Sequence, residues 1–268
     1  MPIRHVHRIG LVVFRMAIVM SGTNSGSTLT TATTAEADRA IHPTGGLPAE
    51  ERIRKHFLNR GHGGEFEMEA AWIQAFVPSD TGLVLDVGCG NGALFETIGA
   101  NRVLGVDYCH DGLILTRRRF ASVPLFCADA CNLPFASSSV DVVVAQHVIE
   151  HLPSRDAACR EWFRVLKAEG VLLVLTPNAS FCDPSVYRDE SHIHIFDERG
   201  LRAVLEEVGF VVQDVRTLGL PWFRSYHRVP SGWRVRRFVT QNARALSGVA
   251  PWRWKGQTLC CAAGKELA

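Results

Sequence analysis

Short apolar runs alternate with segments of helical periodicity through the middle of the chain. The runs rich in Val and Leu predict strands at Leu83–Val87, Val103–Val106, Pro124–Cys127, Val140–Ala145 and Val171–Thr176. Helix-spaced apolar residues between them predict helices at Ala93–Gly99, Asp111–Phe120 and Arg155–Leu166. Continuous apolar runs indicate strands buried on both faces, as in a parallel sheet. The alternation therefore predicts a doubly wound α/β domain with a ligand crevice at the carboxyl ends of its strands.

The segments on either side of this region set the predicted domain boundaries. Before it, helix-spaced apolar residues begin after Pro48 and continue over Ala49–Leu58 and Glu65–Val77. After it, the pattern predicts a helix at Glu198–Val208, a strand at Val211–Thr217 and a final apolar run at Thr258–Ala263. We therefore predict an N-terminal extension over 1–47, and one folded domain over 48–268 with a basic and aromatic cap insertion at 221–255.

The first 35 residues have a composition unlike the rest of the chain. No Asp or Glu occurs before Glu36, and Arg15 interrupts the apolar stretch from Ile9 to Met20. The interrupted stretch is too short for a transmembrane helix and is a poor signal sequence. Three interpretations stay open: a leader outside the functional protein, with translation starting at Met20, a flexible tail, or a targeting segment.

Composition narrows the class of protein. The 268 residues are 47% apolar and 21% charged, as in a globular domain, and the net charge of +2 is too small to indicate an acidic partner. None of the eight cysteines forms a C-x-x-C pair, which favours free thiols in a reducing compartment over a disulfide framework. We therefore predict a cytoplasmic protein.

Three glycines at alternate positions follow the first predicted strand: Gly88, Gly90 and Gly92. Glycine permits positive φ and lets backbone N–H groups approach a ligand closely. With Ala93, the first two also satisfy the dinucleotide pattern G-x-G-x-x-A, so binding of NAD or FAD stays open. Asp107 ends the second strand, where a carboxylate can accept hydrogen bonds from both hydroxyls of a ribose. These residues predict an adenosine ligand without choosing between the cofactors that contain one.

Five blocks of sequence carry a resemblance to a known family. They are V-L-D-V-G-C-G-N-G (84–92), V-L-G-V-D (103–107), A-D-A-C-N-L-P-F (128–135), V-D-V-V-V-A-Q-H-V-I-E-H-L (140–152) and R-V-L-K-A-E-G-V-L-L-V-L-T-P-N (164–178). In order and spacing the chain resembles the class I methyltransferases that use S-adenosylmethionine (SAM), within the group that includes the ubiquinone-biosynthesis O-methyltransferases. The resemblance implies a Rossmann-like, mostly parallel seven-stranded sheet with flanking helices, and SAM as the cofactor.

The resemblance also implies roles for individual residues. Asp86, Gly88 and Gly90 would line the methionine part of SAM, and Asp107 would hold the ribose. Asp129 and the backbone beside Ala130 would contact the adenine edge, and Gln146 would lie near the methyl group. The predicted cofactor site is completed by the neighbours of these residues, Cys89, Asn91, Gly92 and Tyr108.

Histidines near the predicted crevice are the candidates for catalysis. Methyl transfer to a hydroxyl benefits from a base whose pKa lies near the working pH, and histidine is the simplest. His192 lies in a segment that resembles an acceptor-pocket loop of the family, and His147 follows the fourth strand. Residues 147–151 also spell H-x-x-E-H, a zinc-peptidase pattern that needs both histidines on one face of a helix. Because this pentad directly follows a strand, we predict no metal site.

The segment from Val215 to Lys265 contains no acid, and its arginines alternate with aromatic residues over 221–255. Such a segment can bind an anionic acceptor or a lipid surface, or it can be a solvated face. Nucleic acid is less favoured, because no RNA-binding module is recognisable. The sequence therefore predicts a SAM-dependent methyltransferase acting on a small-molecule or lipid-like acceptor, with O-methylation favoured and peripheral membrane contact possible. An NAD oxidoreductase and a catalytically silent SAM-binding partner protein stay as alternatives.

Overall fold

A computed structural model describes residues 64–180, 191–218 and 257–266. Its centre is a seven-stranded sheet in the order β3-β2-β1-β4-β5-β7-β6. The strands are β1 Val84–Val87, β2 Val103–Asp107, β3 Leu125–Cys127, β4 Val140–Gln146, β5 Leu166–Pro177, β6 Val211–Leu218 and β7 Thr258–Gly264. Strands β1 to β5 pair in parallel, whereas β7 is antiparallel to both of its neighbours. The predicted mostly parallel, doubly wound sheet is therefore confirmed.

Five helices and one turn of 3₁₀ helix connect the described strands. They are α1 Gly64–Phe76, α2 Phe95–Ile98, α3 His110–Arg119, the 3₁₀ turn Ile149–His151, α4 Arg155–Val165 and α5 Glu198–Val208. Helix α2 is shorter than predicted, because Gly90 and Gly92 have positive φ and carry the chain through turns up to Leu94. Strand β5 begins five residues before the predicted Val171, at Leu166, where it pairs with Val140.

Burial explains why the strand sequences are mostly apolar. All four residues of β1 and all seven of β7 are buried, as expected for strands covered on both faces. Helix α1 adds Trp72 and Ile73 to the same core, which also contains Phe95 of α2. The apolar face of α1 thus fixes this helix against the sheet, ahead of the first strand in the chain.

The sheet register brings the candidate site residues to one edge. Val87, the last residue of β1, pairs with Val106 of β2 and with Ala145 of β4. The residues that follow these three positions are Gly88, Asp107 and Gln146. All three therefore lie at the carboxyl ends of adjacent parallel strands, where ligands bind in open α/β sheets.

Several predictions fall on residues outside the described ranges. These are the extension over 1–47, the helix Ala49–Leu58 and the cap insertion at 221–255. Within the described ranges, no helix is long and apolar enough to cross a membrane.

Candidate cofactor site and acceptor cleft

The glycine loop has the backbone geometry that its sequence predicts. Gly88, Gly90 and Gly92 have φ values of 70°, 51° and 72°, a conformation that L side chains rarely adopt. A Cβ on Gly88 would collide with Val148, and one on Gly92 would lie 2.7 Å from Phe95. At Gly90 the nearest atom to an added Cβ would be 3.9 Å away. Side chains of the fold therefore press against two of the glycines, while the face of Gly90 is open to a ligand.

Asp107 is held in place by two backbone N–H groups. Its Oδ2 accepts a hydrogen bond of 2.9 Å from Gly90 N, and its Oδ1 accepts one of 2.9 Å from Cys109 N. Thr116 of α3 completes the arrangement, because its hydroxyl donates to Gly90 O at 2.7 Å. Thr116 was not among the residues predicted for the site. Its position in the sequence is marked by little more than a small hydroxyl residue on the inner face of a predicted helix. The carboxylate predicted to hold the ribose is thus fixed to the glycine loop before any ligand arrives.

Two further residues of the predicted loop site are buried. Burial, and then the nearby charge of Asp107, raise the pKa of Asp86 well above its usual value. A cationic group bound beside Asp86 would favour its charged form and lower that pKa. Burial likewise raises the pKa of the Cys89 thiol, which packs close to Gly105. Cys89 can therefore reach a ligand only through its backbone.

The residues predicted for the adenine end follow β2 and β3. Tyr108 is 49% exposed directly after Asp107. Ala128 N donates to Asp107 O at 3.1 Å, which brings the chain after β3 alongside Asp107. Asp129 uses its Oδ1 to accept from Cys131 N at 2.8 Å, and this turn places Ala130 at the same edge. Asn91, in the loop itself, accepts from Ala93 N at 3.1 Å and shapes the entry to α2.

Two buried carboxylates enclose His147. Glu69 of α1 is 4% exposed and Glu150 of the 3₁₀ turn is 1% exposed. His147 Nε2 lies 3.1 Å from Glu69 Oε1, and His147 Nδ1 lies 3.3 Å from Glu150 Oε1. Burial alone would lower the pKa of His147, but the two carboxylates raise it to about 10. The imidazole is therefore protonated at neutral pH, and each of its ring nitrogens faces a carboxylate oxygen.

Glu69 also reaches other parts of the sheet edge. Its Oε2 accepts a hydrogen bond of 2.6 Å from Gln146 Nε2. Its Oε1 accepts one of 2.6 Å from Thr258 Oγ1, at the start of β7. Glu150 accepts from Thr176 of β5 at 3.1 Å. Glu69 was not among the predicted site residues, and the only available signal is an acid on the apolar face of a predicted helix, next to Met68. We call Glu69, His147 and Glu150 the carboxylate–imidazolium cluster.

Residues 191–194, which follow β5 in the chain and include His192 and His194, lie against the 3₁₀ turn. Ile193 N and His194 N both donate to Glu150 O, at 2.8 and 3.1 Å, and His151 Nδ1 lies 3.0 Å from Ser191 O. The rings of His151 and His192 are 4.8 Å apart between centroids. The structure thus brings His192 to the carboxyl end of β4, at the edge where Gln146 and His147 lie.

The same part of the structure contains the groups that could bind a metal ion. The H-x-x-E-H pentad ends in a three-residue 3₁₀ turn, and both ring nitrogens of its first histidine, His147, face carboxylates. Within the described ranges, Glu150, His151 and His192 offer polar atoms within 4.8 Å of one another. His147 Nδ1 lies 3.3 Å from Oε1 of the same Glu150. The absence of a metal site stays a prediction.

Comparisons with known proteins show which proteins the chain is similar to. Residues 85–174 match the family model described as a methyltransferase domain. A probable SAM-dependent methyltransferase of Mycolicibacterium smegmatis is 40% identical over 144 residues, which are 51% of this chain and 54% of that protein. A second one, of Mycobacterium tuberculosis, is 37% identical over 179 residues, which are 63% of this chain and 62% of that protein. The chain thus spans less than two thirds of the length of these relatives.

A solved structure shows the same fold. Phosphoethanolamine N-methyltransferase 2 of Haemonchus contortus, in complex with SAM, superposes with a TM-score of 0.59 at 20% identity. The match covers 92% of this chain and 61% of that one. The strand order, the glycine loop with its carboxylate and the matched sequence point the same way: residues 85–174 match a methyltransferase domain, and the chain is similar to probable SAM-dependent methyltransferases over 51% and 63% of its length.

Proposed function

We propose that the chain binds SAM and transfers its methyl group to a small-molecule or lipid-like acceptor. The observation that carries the proposal is the position of Asp107, whose two oxygens are fixed by Gly90 N and Cys109 N at the carboxyl end of β2. A carboxylate held in this way can accept hydrogen bonds from both ribose hydroxyls without first reorganising. The family match over 85–174 covers the same loop.

The residues at this edge suit each part of SAM. Asp107 would hold the ribose, Gly88 and Gly90 would allow the methionine part to approach the backbone, and Asp129 would contact the adenine. When bound, SAM supplies a methyl group on a sulfonium, which is already a good leaving group. The protein then has mainly to position the acceptor and exclude water.

His192 is our candidate for the base in O-methylation. A hydroxyl acceptor loses a proton as its oxygen takes the methyl group, so the base must begin unprotonated. His147 does not fit this role at neutral pH, because its pKa is raised to about 10 by the carboxylates around it. His192 lies beside His151 at the same strand edge. His147 then acts as a fixed positive charge, and His192 takes the proton.

Calorimetric titration of the full chain with SAM, S-adenosylhomocysteine and NAD tests the cofactor. We expect micromolar binding of the first two. Tight binding of NAD without binding of SAM would contradict the proposal and favour an oxidoreductase. Transfer of a labelled methyl group from SAM to candidate hydroxyl compounds tests the activity. A protein that binds SAM but transfers no label to any acceptor would instead be a catalytically silent partner protein.

We expect the cap insertion at 221–255 to contribute to binding of the acceptor. Its sequence alternates arginine with aromatic residues, which favours a negatively charged or membrane-presented acceptor. Charge reversal at Arg234, Arg236 and Arg237 should raise the KM for the acceptor and leave SAM affinity unchanged. Co-sedimentation with vesicles that contain or lack anionic lipid tests the membrane version, and added salt should weaken such binding. Equal turnover by the wild type and the triple variant, with no vesicle binding, would contradict this part of the proposal.

A further inference from the structure

We propose that Glu69 determines cofactor specificity: it orients Gln146 and places a buried negative charge beside it, so that the cleft prefers cationic SAM to neutral S-adenosylhomocysteine. The inference rests on the proposed function, because it concerns the charge on the reacting sulfur. In methyl transfer the carbon–sulfur bond breaks and its electron pair stays on sulfur. The sulfonium thereby becomes an uncharged thioether, while the acceptor oxygen gains the methyl group and gives up its proton. A site that senses this charge binds the substrate form of the cofactor and releases the product form.

The contacts of Glu69 define its charge. Its two oxygens face Gln146 Nε2 at 2.6 Å, Thr258 Oγ1 at 2.6 Å and His147 Nε2 at 3.1 and 3.2 Å. The Gln146 amide nitrogen can donate a hydrogen bond but cannot accept one, and the same is true of each N–H of the His147 imidazolium. An ionised carboxylate can only accept, so this set of partners suits the ionised form. Glu69 is thus a buried anion whose surroundings are donors.

The orientation of Gln146 follows from this charge. A carboxylate cannot donate to an amide oxygen, so Gln146 must turn its NH₂ group towards Glu69. The amide oxygen then occupies the other end of the planar group. Because Ala145 pairs with Val87, Gln146 ends β4 at the level where Gly88 follows β1. Glu69 therefore fixes an oxygen with a partial negative charge at the strand edge that carries the glycine loop.

Of the two carboxylates in the carboxylate–imidazolium cluster, Glu69 is the one that contacts Gln146. Glu150 has two imidazoles beside it, since His147 Nδ1 lies 3.3 Å and His151 Nε2 lies 3.9 Å from its Oε1. Glu69 has one imidazole, His147, and two neutral donors, Gln146 and Thr258. The negative charge of Glu69 is buried, where water screens it poorly. A sulfonium near Gln146 would be stabilised by this charge, and a thioether would not.

A purely structural role for Glu69 predicts a different result. If Glu69 only attached α1 to the sheet, its loss would alter the affinities for SAM and S-adenosylhomocysteine by the same factor. The two ligands differ by one methyl group and one charge, so the ratio of their affinities isolates the effect of the charge. This ratio is therefore the quantity to measure.

The test is calorimetry of the full chain with both ligands at pH 6.5, comparing the wild type with Glu69→Gln. The substitution replaces the carboxylate with an amide of nearly the same shape, so it removes the negative charge beside Gln146 and frees the Gln146 amide to rotate. We expect SAM to bind about tenfold more weakly, the size of one hydrogen bond to a charged group, and S-adenosylhomocysteine to change less than about twofold. Thr258→Val is the matched control: it removes another donor from the same carboxylate but no charge, so its affinity ratio should equal that of the wild type.

Each remaining outcome decides the question. An unchanged ratio in a Glu69→Gln protein with wild-type circular dichroism overturns the inference and leaves the proposed function intact. If Glu69→Gln does not fold, Gln146→Leu replaces it; this variant keeps the charge of Glu69 but lacks the amide oxygen that Glu69 orients, and an unchanged ratio overturns the role of Gln146 in the inference. A wild-type protein that binds neither ligand contradicts the proposed function, and the inference falls with it.

Discussion

Replacing Asp107 with alanine should weaken SAM binding more than any other single change at the sheet edge. The substitution removes the acceptor predicted for the ribose hydroxyls. It also removes the acceptors of Gly90 N and Cys109 N, each 2.9 Å from a carboxylate oxygen. The glycine loop then keeps its bond to α3 through Thr116 and the bond from Cys89 N to Val106 O of β2, but it loses the bond from Gly90 N to Asp107. Binding should therefore suffer from a lost contact and from a less ordered loop.

The magnitude follows from the hydrogen bonds involved. A hydrogen bond to a charged group contributes about 1.5–3 kcal/mol, which corresponds to a loss of affinity of roughly 10- to 150-fold. Two backbone donors without acceptors should also lower the free energy of unfolding by about 1–3 kcal/mol, since both are partly buried. Removing the charge of Asp107 should in addition lower the pKa of Asp86, which that charge helps to raise. Calorimetry and urea denaturation measure the first two effects.

Asp107→Asn provides the matched comparison. The amide has nearly the same shape, but only one of its two ends can accept a hydrogen bond. It can satisfy Gly90 N or Cys109 N but not both, so the variant should lose less stability than Asp107→Ala and still bind SAM weakly. A folded Asp107→Ala protein with wild-type affinity for SAM would refute the assignment of this carboxylate to the ribose.

Two further predictions concern the loop and the cluster. Gly88→Ala should reduce SAM affinity because its Cβ would meet Val148, and a second substitution, Val148→Ala, should restore part of the affinity. An added Cβ at Gly90 has open space, so the affinity of Gly90→Ala should not respond to Val148→Ala. Equal rescue of both glycine variants, measured by calorimetry, would contradict this account. The pKa of His147 is raised to about 10 from 6.5, so its contribution to the free energy of unfolding should be complete below pH 6.5 and lost as the pH rises through about 10. Urea denaturation of the wild type and His147→Gln from pH 6 to 10.5 measures this loss, and parallel curves would contradict it.

The parallel part of the sheet could be predicted because its strands carry local signals. Strands β1, β2 and β4 are rich in Val and Leu, and glycine or polar residues mark the end of each. The place of β7 between β5 and β6 carries no such signal. Its seven residues form an apolar run like the others, and only pairing with two strands far away in sequence fixes its antiparallel direction. Direction and neighbours are properties of the packed sheet, so the run itself indicates only a buried strand.

The candidate site likewise has residues that could be predicted from the sequence and residues that could not. Asp107 was predictable because it ends a strand at a fixed spacing from the glycine loop. Glu69 was not, because its partners Gln146 and Thr258 lie 77 and 189 residues away in sequence. The strained backbone of His147, with φ of 54°, is also a consequence of packing rather than of residue type. Spacing within a motif can be recognised in one sequence, whereas a buried ionic contact between distant segments becomes visible only in the fold.

Attachment of α1 to the sheet does not by itself account for Glu69. Trp72 and Ile73 of the same helix are 1% and 0% exposed, and they already anchor it in the apolar core. A buried ion cluster is a weak way to add stability, since the cost of taking charges out of water offsets most of their attraction, and well-packed apolar side chains serve at least as well. What the cluster adds, and an apolar contact cannot, is an electric field at Gln146 and a fixed direction for its amide. Those two effects act at the cofactor edge of the sheet, which is why the decisive measurement on Glu69 is a ratio of ligand affinities and not a melting temperature.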